Sequence, residues 1–456
     1  MTEIREVEPA ELIAGLSRAL DLTEGEPMGH SIRSCWIGMR LAQALNLSQD
    51  VADDLFFALL LKDAGCSANA AQVSSWFGTD DRQAKLDLKR TNWSRMADAL
   101  RFALAHAAPG QPPVTRLNKM VGLARRGISS ANELVALRCT RGAQIVRALG
   151  WSGAIPEAVL NLDEHWDGSG APGGARGTEI PLLARILLLS QTAEIFWRRG
   201  GPDAARDVVK ARRGEWFDPE LVDVFLAETS RPEFFRDLEK VGTPDTVHEY
   251  FPRVALGMGA ATDIMSTAEI FAQIVDAKSP WTRWHSIRTA HYAAWTAKHM
   301  GLSQDVQESV KLAGFFHDLG KLGISNLVLD KPGRLSVEER RHMESHPRLT
   351  YEVLEPLSAL ADTAYAASCH HERLDGSGYH RGLSGSNVPL QAQVVAVADI
   401  YDALTADRPY RHGLEPEAAI RILQQDMGTK LNGEAVDAIR AMPFPMPVSE
   451  TLEGID

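Results

Sequence analysis

Seven side chains in the second half of the chain have the types and spacing to hold metal ions. They are His285, the adjacent pair His317-Asp318, His346, the adjacent pair His370-His371, and Asp399. Imidazole nitrogen and carboxylate oxygen are donors that borderline divalent metals accept. Of 14 histidines, 10 lie between His285 and His412, where even scattering would leave about four. Adjacency matters in His317-Asp318: the imidazole can serve one ion while the carboxylate, with two oxygens, reaches a second. Two such ions lower the pKa of a water from roughly 16 toward about 7 and neutralise phosphate charge. The chemistry this suits is phosphoester hydrolysis, with in-line attack on phosphorus. Lys321 follows Gly320, a helix-ending glycine, where a flexible ammonium can reach a non-bridging phosphate oxygen. His291, His299, His342 and His412 have no such partners and read as surface or packing residues.

A metal centre needs rigid elements to hold it. Apolar residues recur at helical spacing through most of the chain, for example Cys35, Trp36, Met39, Leu41, Ala42 and Leu45, or Val306, Val310, Ala313 and Phe316. The most strand-like run, VVAVADIYDAL at 394–404, fits a helix at least as well. The expected fold is all-α, with turn clusters at 107–114, 167–181, 200–202 and 375–389. The pattern also repeats. HSIR begins at His30 and again at His285, and LSQDV follows in both copies, all at one offset of 255 residues. DGSG loops begin at Asp167 and Asp375, an offset of 208. Two ordered blocks point to internal duplication. The expected organisation is two tandem helical bundles, 1–225 and 266–456, joined by a helical linker over 226–265.

Composition sets the outer limits. A chain of 456 residues is too long for one ordinary core. Its net charge of −12 disfavours sequence-independent nucleic-acid binding, which needs a basic face, yet a few local Lys and Arg can hold a small phosphorylated ligand. The apolar run Leu55–Leu61 falls far short of the ~20 residues of a membrane span, and the N-terminus lacks a signal-peptide core. Cys35, Cys66, Cys139 and Cys369 form no CxxC pair. The expectation is a cytoplasmic protein with neither membrane nor nucleic-acid partner.

HDLGK (317–321), LDKPGRLSVEE (329–339), SHP (345–347), HHERLDGSGY (370–379) and AVADIYDALTADRPYR (396–411) together resemble the HD-GYP family of the HD phosphohydrolases. The resemblance implies an all-α HD fold and hydrolysis of cyclic di-GMP to pGpG or GMP. It implies two divalent transition-metal ions, iron or manganese. One takes His285, His317, Asp318 and Asp399; the other takes Asp318, His346, His370 and His371. It places Lys321, Asp402, Arg408 and Arg411 on the substrate, with Lys331 and Arg334 at the rim. Two departures stand out. Trp281 occupies the position where some members carry a third-metal Glu, so two ions are expected and not three. The name-giving Gly-Tyr-Pro reads Gly378-Tyr379-His380. Alternatives are the same centre acting on another cyclic dinucleotide or a nucleotide, or a low-turnover receptor that signals to a partner protein.

The first half is expected to be a metal-free copy of the bundle, used for regulation or assembly, including as a homodimer. His30 and Asp63 match His285 and Asp318, but Lys62 stands for His317 and Cys66 for Lys321. Leu162, Asp163 and Gln191 stand for His370, His371 and Asp399, and the His346 equivalent falls near Arg138.

Overall fold

The computed structural model describes residues 8–91, 96–246, 249, 251, 263–407 and 412–443. Among them are 21 α-helices and no strand, as the periodicity predicts. The stripe at 34–45 lies in the His30–Ala44 helix, that at 306–316 in the Gln304–Phe316 helix. The ambiguous run at 394–404 lies in the Leu390–Thr405 helix, where Val394, Val395, Val397 and Ala398 are buried. No helix of the described residues is long and apolar enough to cross a membrane.

The chain divides into two compact units, one running from Glu8 to Thr262 and one containing everything from Asp263. The first unit reaches further than the sequence suggests. The Pro219–Thr229 and Glu233–Leu238 helices pack onto the His30–Ala44 helix, and Phe225, Phe234 and Leu238 are buried, with Phe234 edge-on to Trp36 at 4.7 Å. Residues 226–246 therefore belong to this unit and are no linker, because their apolar faces are already spent. Residues 252–262, the rest of the expected linker, lie outside the described residues.

In the second unit the His285–His299 helix packs on Gln304–Phe316 and on Leu390–Thr405, and these three form the frame of the bundle. Asp276 sets the entry to the first of them. Its carboxylate accepts from the Ser286 backbone N–H (3.0 Å) and hydroxyl (2.7 Å), so His285 begins the helix at a fixed height. In the first unit Asp21 does the same for Ser31, at 3.0 and 2.7 Å. Both aspartates obey the 255-residue offset.

Gly320 fixes the other approach. Its backbone lies so close to the start of the His346–Leu354 helix that a Cβ would collide with the His346 carbonyl oxygen. Its N–H donates to the Thr350 hydroxyl (2.9 Å), which donates in turn to the His317 carbonyl (3.1 Å). Only glycine allows His317-Asp318 to sit this near His346. Gly65 repeats the contact in the first unit, against the Arg138 carbonyl, which identifies Arg138 as the counterpart of His346.

Candidate metal centre

The seven expected ligands come from five helix ends or helices and converge. His285 starts its helix, His317 ends Gln304–Phe316, His346 opens His346–Leu354, His370 and His371 follow Ala361–Ser368, and Asp399 lies within Leu390–Thr405. Donor atoms of His285, His317 and Asp399 lie within 4.8 Å of one another, as do those of His346, His370 and His371. Asp318 stands between the groups. Its Oδ2 is 3.3 Å from both His285 Nε2 and His317 Nε2; its Oδ1 is 3.4 Å from His346 Nε2 and 3.9 Å from His370 Nε2.

The ring nitrogens explain the convergence. His317 Nδ1 donates to the Gly314 carbonyl (2.7 Å), His346 Nδ1 to Met343 (2.7 Å) and His370 Nδ1 to Ala367 (2.6 Å). Each acceptor lies three residues earlier, in a last helical turn whose carbonyls lack an intrahelical N–H. Fixing the proton on Nδ1 leaves the Nε2 lone pair free, the tautomer that ligation requires. His285 Nδ1 uses the Asp402 carboxylate instead, at 2.7 Å. His285 Nε2, His317 Nε2 and Asp318 Oδ1 are buried without a hydrogen-bond partner. Orphaned buried polar atoms are costly, so the donor set fits a metal.

Electrostatics point the same way. Burial pushes the His346 imidazole down to about 4 and those of His370 and His371 well below the usual range, which keeps them neutral and able to donate lone pairs. Burial opposes ionising Asp318, but His317 and Lys321 outweigh it and hold the carboxyl well below its ordinary value. Burial also works against charge on His285, yet the surrounding carboxylates of Asp318, Asp399 and Asp402 outweigh it and raise the imidazole.

Other expected residues fall differently. Lys321 forms an ion pair with Asp318 Oδ2 and keeps its side chain 18% exposed, within reach of a ligand. Asp402 was expected on the substrate; it is fully buried, and both its oxygens are occupied. Oδ2 accepts from His285 Nδ1 and from Arg288 Nη2 (3.0 Å), Oδ1 from Arg288 Nε (2.5 Å). It braces His285 from behind. Arg408 and Arg411 lie outside the described residues. Lys331 pairs with Glu339 at 2.5 Å, and Arg334 is exposed. Trp281 is 41% exposed and offers no donor for a third ion. Tyr379 stacks on His371 at 4.6 Å, and Glu372 shapes the loop beyond it by accepting from the Arg381 and Leu383 backbone N–H groups. His291 packs against Phe315, His299 stacks on Trp295, and His342 accepts from the Ser325 N–H. His412 is exposed.

Arg288, Asp276 and Thr350 were missed from sequence. The repeat carried a signal for Arg288: HSIR contains it in both copies, and Glu194 stands 208 residues before Asp402. In the first unit Glu194 indeed accepts from His30 Nδ1 (2.5 Å) and Arg33 Nε (2.6 Å). The rest of that unit's site differs. Lys62 pairs with Asp63; Lys89 reaches Glu24 at 2.9 Å and Asp63 at 3.3 Å; Arg138 pairs with Asp163 and lies 3.5 Å from Glu24. Glu24, Asp63 and Cys66 lie close enough together to hold an ion, and these ammonium and guanidinium groups sit against the two carboxylates. Burial and the neighbouring acids push the Cys66 thiol well up, which keeps it protonated.

Comparison with known proteins places this geometry. The HD-domain family profile matches residues 123–221 and 269–435. The 3′3′-cGAMP-specific phosphodiesterase 3 of Vibrio cholerae is 39% identical over 94% of this chain and 94% of its own. The cyclic di-GMP phosphodiesterase response regulator RpfG of Xanthomonas campestris is 40% identical over 33% of this chain and 41% of its own. A crystal structure of the V. cholerae cyclic GMP-AMP-specific phosphodiesterase V-cGAP3 superimposes with a TM-score of 0.65 at 35% identity, covering 95% of this chain and 96% of that one.

Proposed function

From a chain that belongs to the HD-GYP branch of the HD-domain family, and is a metal-dependent cyclic-dinucleotide phosphodiesterase, we propose an enzyme that prefers 3′3′-cyclic GMP-AMP. The observation that carries this preference is full-length correspondence. The relative named for that substrate matches both halves, whereas the cyclic di-GMP relative RpfG matches only a third of the chain. The family resemblance puts cyclic di-GMP first; the relative that matches along its full length supports 3′3′-cGAMP instead.

In this reading one ion would be held by His285, His317, Asp318 and Asp399, and the other by Asp318, His346, His370 and His371. The two faces of Asp318 support the division. Nitrogen-rich sites of this kind suit iron or manganese. When bound, the ions acidify water and draw charge from the phosphate. The chain's own residues do the rest. The carbonyls of Gly314, Met343 and Ala367 hold the Nδ1 protons, and Asp402 holds that of His285. Lys321, paired with Asp318 and partly exposed, would carry its ammonium to a non-bridging phosphate oxygen once that carboxylate serves the ions. Arg408 and Arg411 bind phosphate or guanine edges, as the family resemblance implies. The first unit binds no metal, because Lys62, Lys89 and Arg138 supply the positive charge the old site needs. A cytoplasmic location is supported by four buried cysteines, none of them disulfide-bonded.

The test is hydrolysis by reconstituted protein of 3′3′-cGAMP and cyclic di-GMP, each alone and in competition, with products resolved by chromatography. A higher kcat/KM for 3′3′-cGAMP supports the reading. Preference for cyclic di-GMP overturns the substrate assignment.

A further inference from the structure

The first unit has lost its metal ligands yet keeps the brace behind them, and the brace ends in a cavity. The cavity has a volume of about 530 Å³, within the range of roughly 300–1,000 Å³ typical of small-molecule sites. Arg33, Arg198, Arg199 and Arg236 line it beside the half-buried rings of Trp197 and Phe235. One carboxylate, Glu239, faces these four guanidinium groups.

The two braces differ where it matters. In the second unit Asp402 takes both Nε and Nη2 of Arg288, closing a bidentate pair. In the first unit Glu194 takes only Nε of Arg33 on one oxygen, and its other oxygen takes His30 Nδ1 alone. Arg33 is 6% exposed, and its buried Nη2 has no hydrogen-bond partner. An unpaired guanidinium nitrogen on a nine-tenths buried side chain is a cost unless a ligand relieves it. Arg198 and Arg199 are exposed at the end of a helical run that breaks at Gly201 (φ +73°). Arg236 is also exposed.

We infer that this cavity in the first unit is a second, non-catalytic binding site for a phosphorylated nucleotide. Guanidinium groups match phosphate oxygens in bidentate geometry, and Trp197 offers a face on which a base can stack, beside Phe235, whose ring also carries the Arg206 guanidinium. Phosphate alone would leave the aromatic wall unused. The site goes beyond the catalytic reading and does not depend on which dinucleotide the second unit cleaves.

The experiment uses the full chain stripped of metal by a chelator, so that nothing is turned over, with 5′-GMP and inorganic phosphate as separate probes in equilibrium dialysis. The expected result is saturable binding of one GMP per chain. Arg198→Ala combined with Arg236→Ala, both exposed positions, weakens it by about tenfold or more, the loss expected for charge-assisted contacts. GMP quenches intrinsic fluorescence in the wild type, and Trp197→Phe removes most of that quench while binding persists. Absent binding, or binding indifferent to the two arginines, overturns the proposal. Phosphate binding as tightly as GMP overturns the nucleotide assignment. Failure of the cGAMP preference would leave all of these results unchanged, so the two readings fail separately.

Discussion

Asp402→Asn separates the brace from a substrate contact. In the wild type three hydrogen bonds end on this one buried carboxylate: His285 Nδ1 at 2.7 Å, Arg288 Nε at 2.5 Å and Arg288 Nη2 at 3.0 Å. An amide keeps one accepting oxygen and turns an NH₂ donor toward the remaining donors. If the oxygen stays on Arg288 Nε, the NH₂ faces His285 Nδ1–H. The imidazole relieves that clash by moving its proton to Nε2, the atom that would ligate the ion. Outer-shell substitutions of this kind cost about 10–100-fold in metal affinity, or roughly 1.4–2.7 kcal/mol. The loss should fall on the ion that shares His285, His317 and Asp399, and spare the one that shares His346, His370 and His371. Titration with manganese against a fluorescent chelator, with elemental analysis of ions per chain, reads both affinities. Activity at limiting metal should fall, and excess metal should restore it. Unchanged metal affinity with a raised KM would refute this reasoning and return Asp402 to the substrate, where the sequence resemblance put it.

Asp318→Ala should lose both ions, since its two oxygens face the two donor groups; full retention in elemental analysis would show that the carboxylate is not shared. Lys321→Ala should keep the metal complement and the circular dichroism spectrum while kcat falls by roughly 10²–10³, the loss expected for a transition-state contact to charge. Unchanged kinetics would remove Lys321 from the phosphate. In the first unit burial alone would raise the Glu24 carboxyl, but Lys89 and Lys85 reverse this and bring it down to about 2. A depressed folded pKa stabilises the fold above the unfolded value near 4.5, and the contribution drains away as pH falls toward 2. Chemical unfolding of wild type and Glu24→Gln should therefore differ most above pH 5 and converge toward pH 2; a constant gap would show that Glu24 is not held ionised.

The convergent histidine and aspartate set was legible because these residue types are chemically rare choices for such positions and because each sits at a local landmark. His317, His346 and His370 all follow a helix's last turn, and the carbonyl that orients each ring is three residues away, so even the tautomer is written in local sequence. Helical periodicity was sufficient for the same reason: it depends on neighbours within a turn. The repeat reached further, matching His30 to His285 and Asp63 to Asp318. What sequence could not decide was which carboxylate faces outward. Asp399 and Asp402 lie three residues apart on one helix, and both qualify for a cavity. Only the packing of His285–His299 against Leu390–Thr405 turns Asp402 toward His285 Nδ1 and Arg288 and leaves Asp399 among the ligands. The same limit explains the extent of the first unit, where Phe234 packs on Trp36 and Phe225 on Phe234, bringing in residues that composition assigned to a linker. It also explains Arg33: its residue type is visible in HSIR, but a guanidinium half-paired by Glu194 at the wall of a cavity exists only once segments some 160 residues apart have packed together.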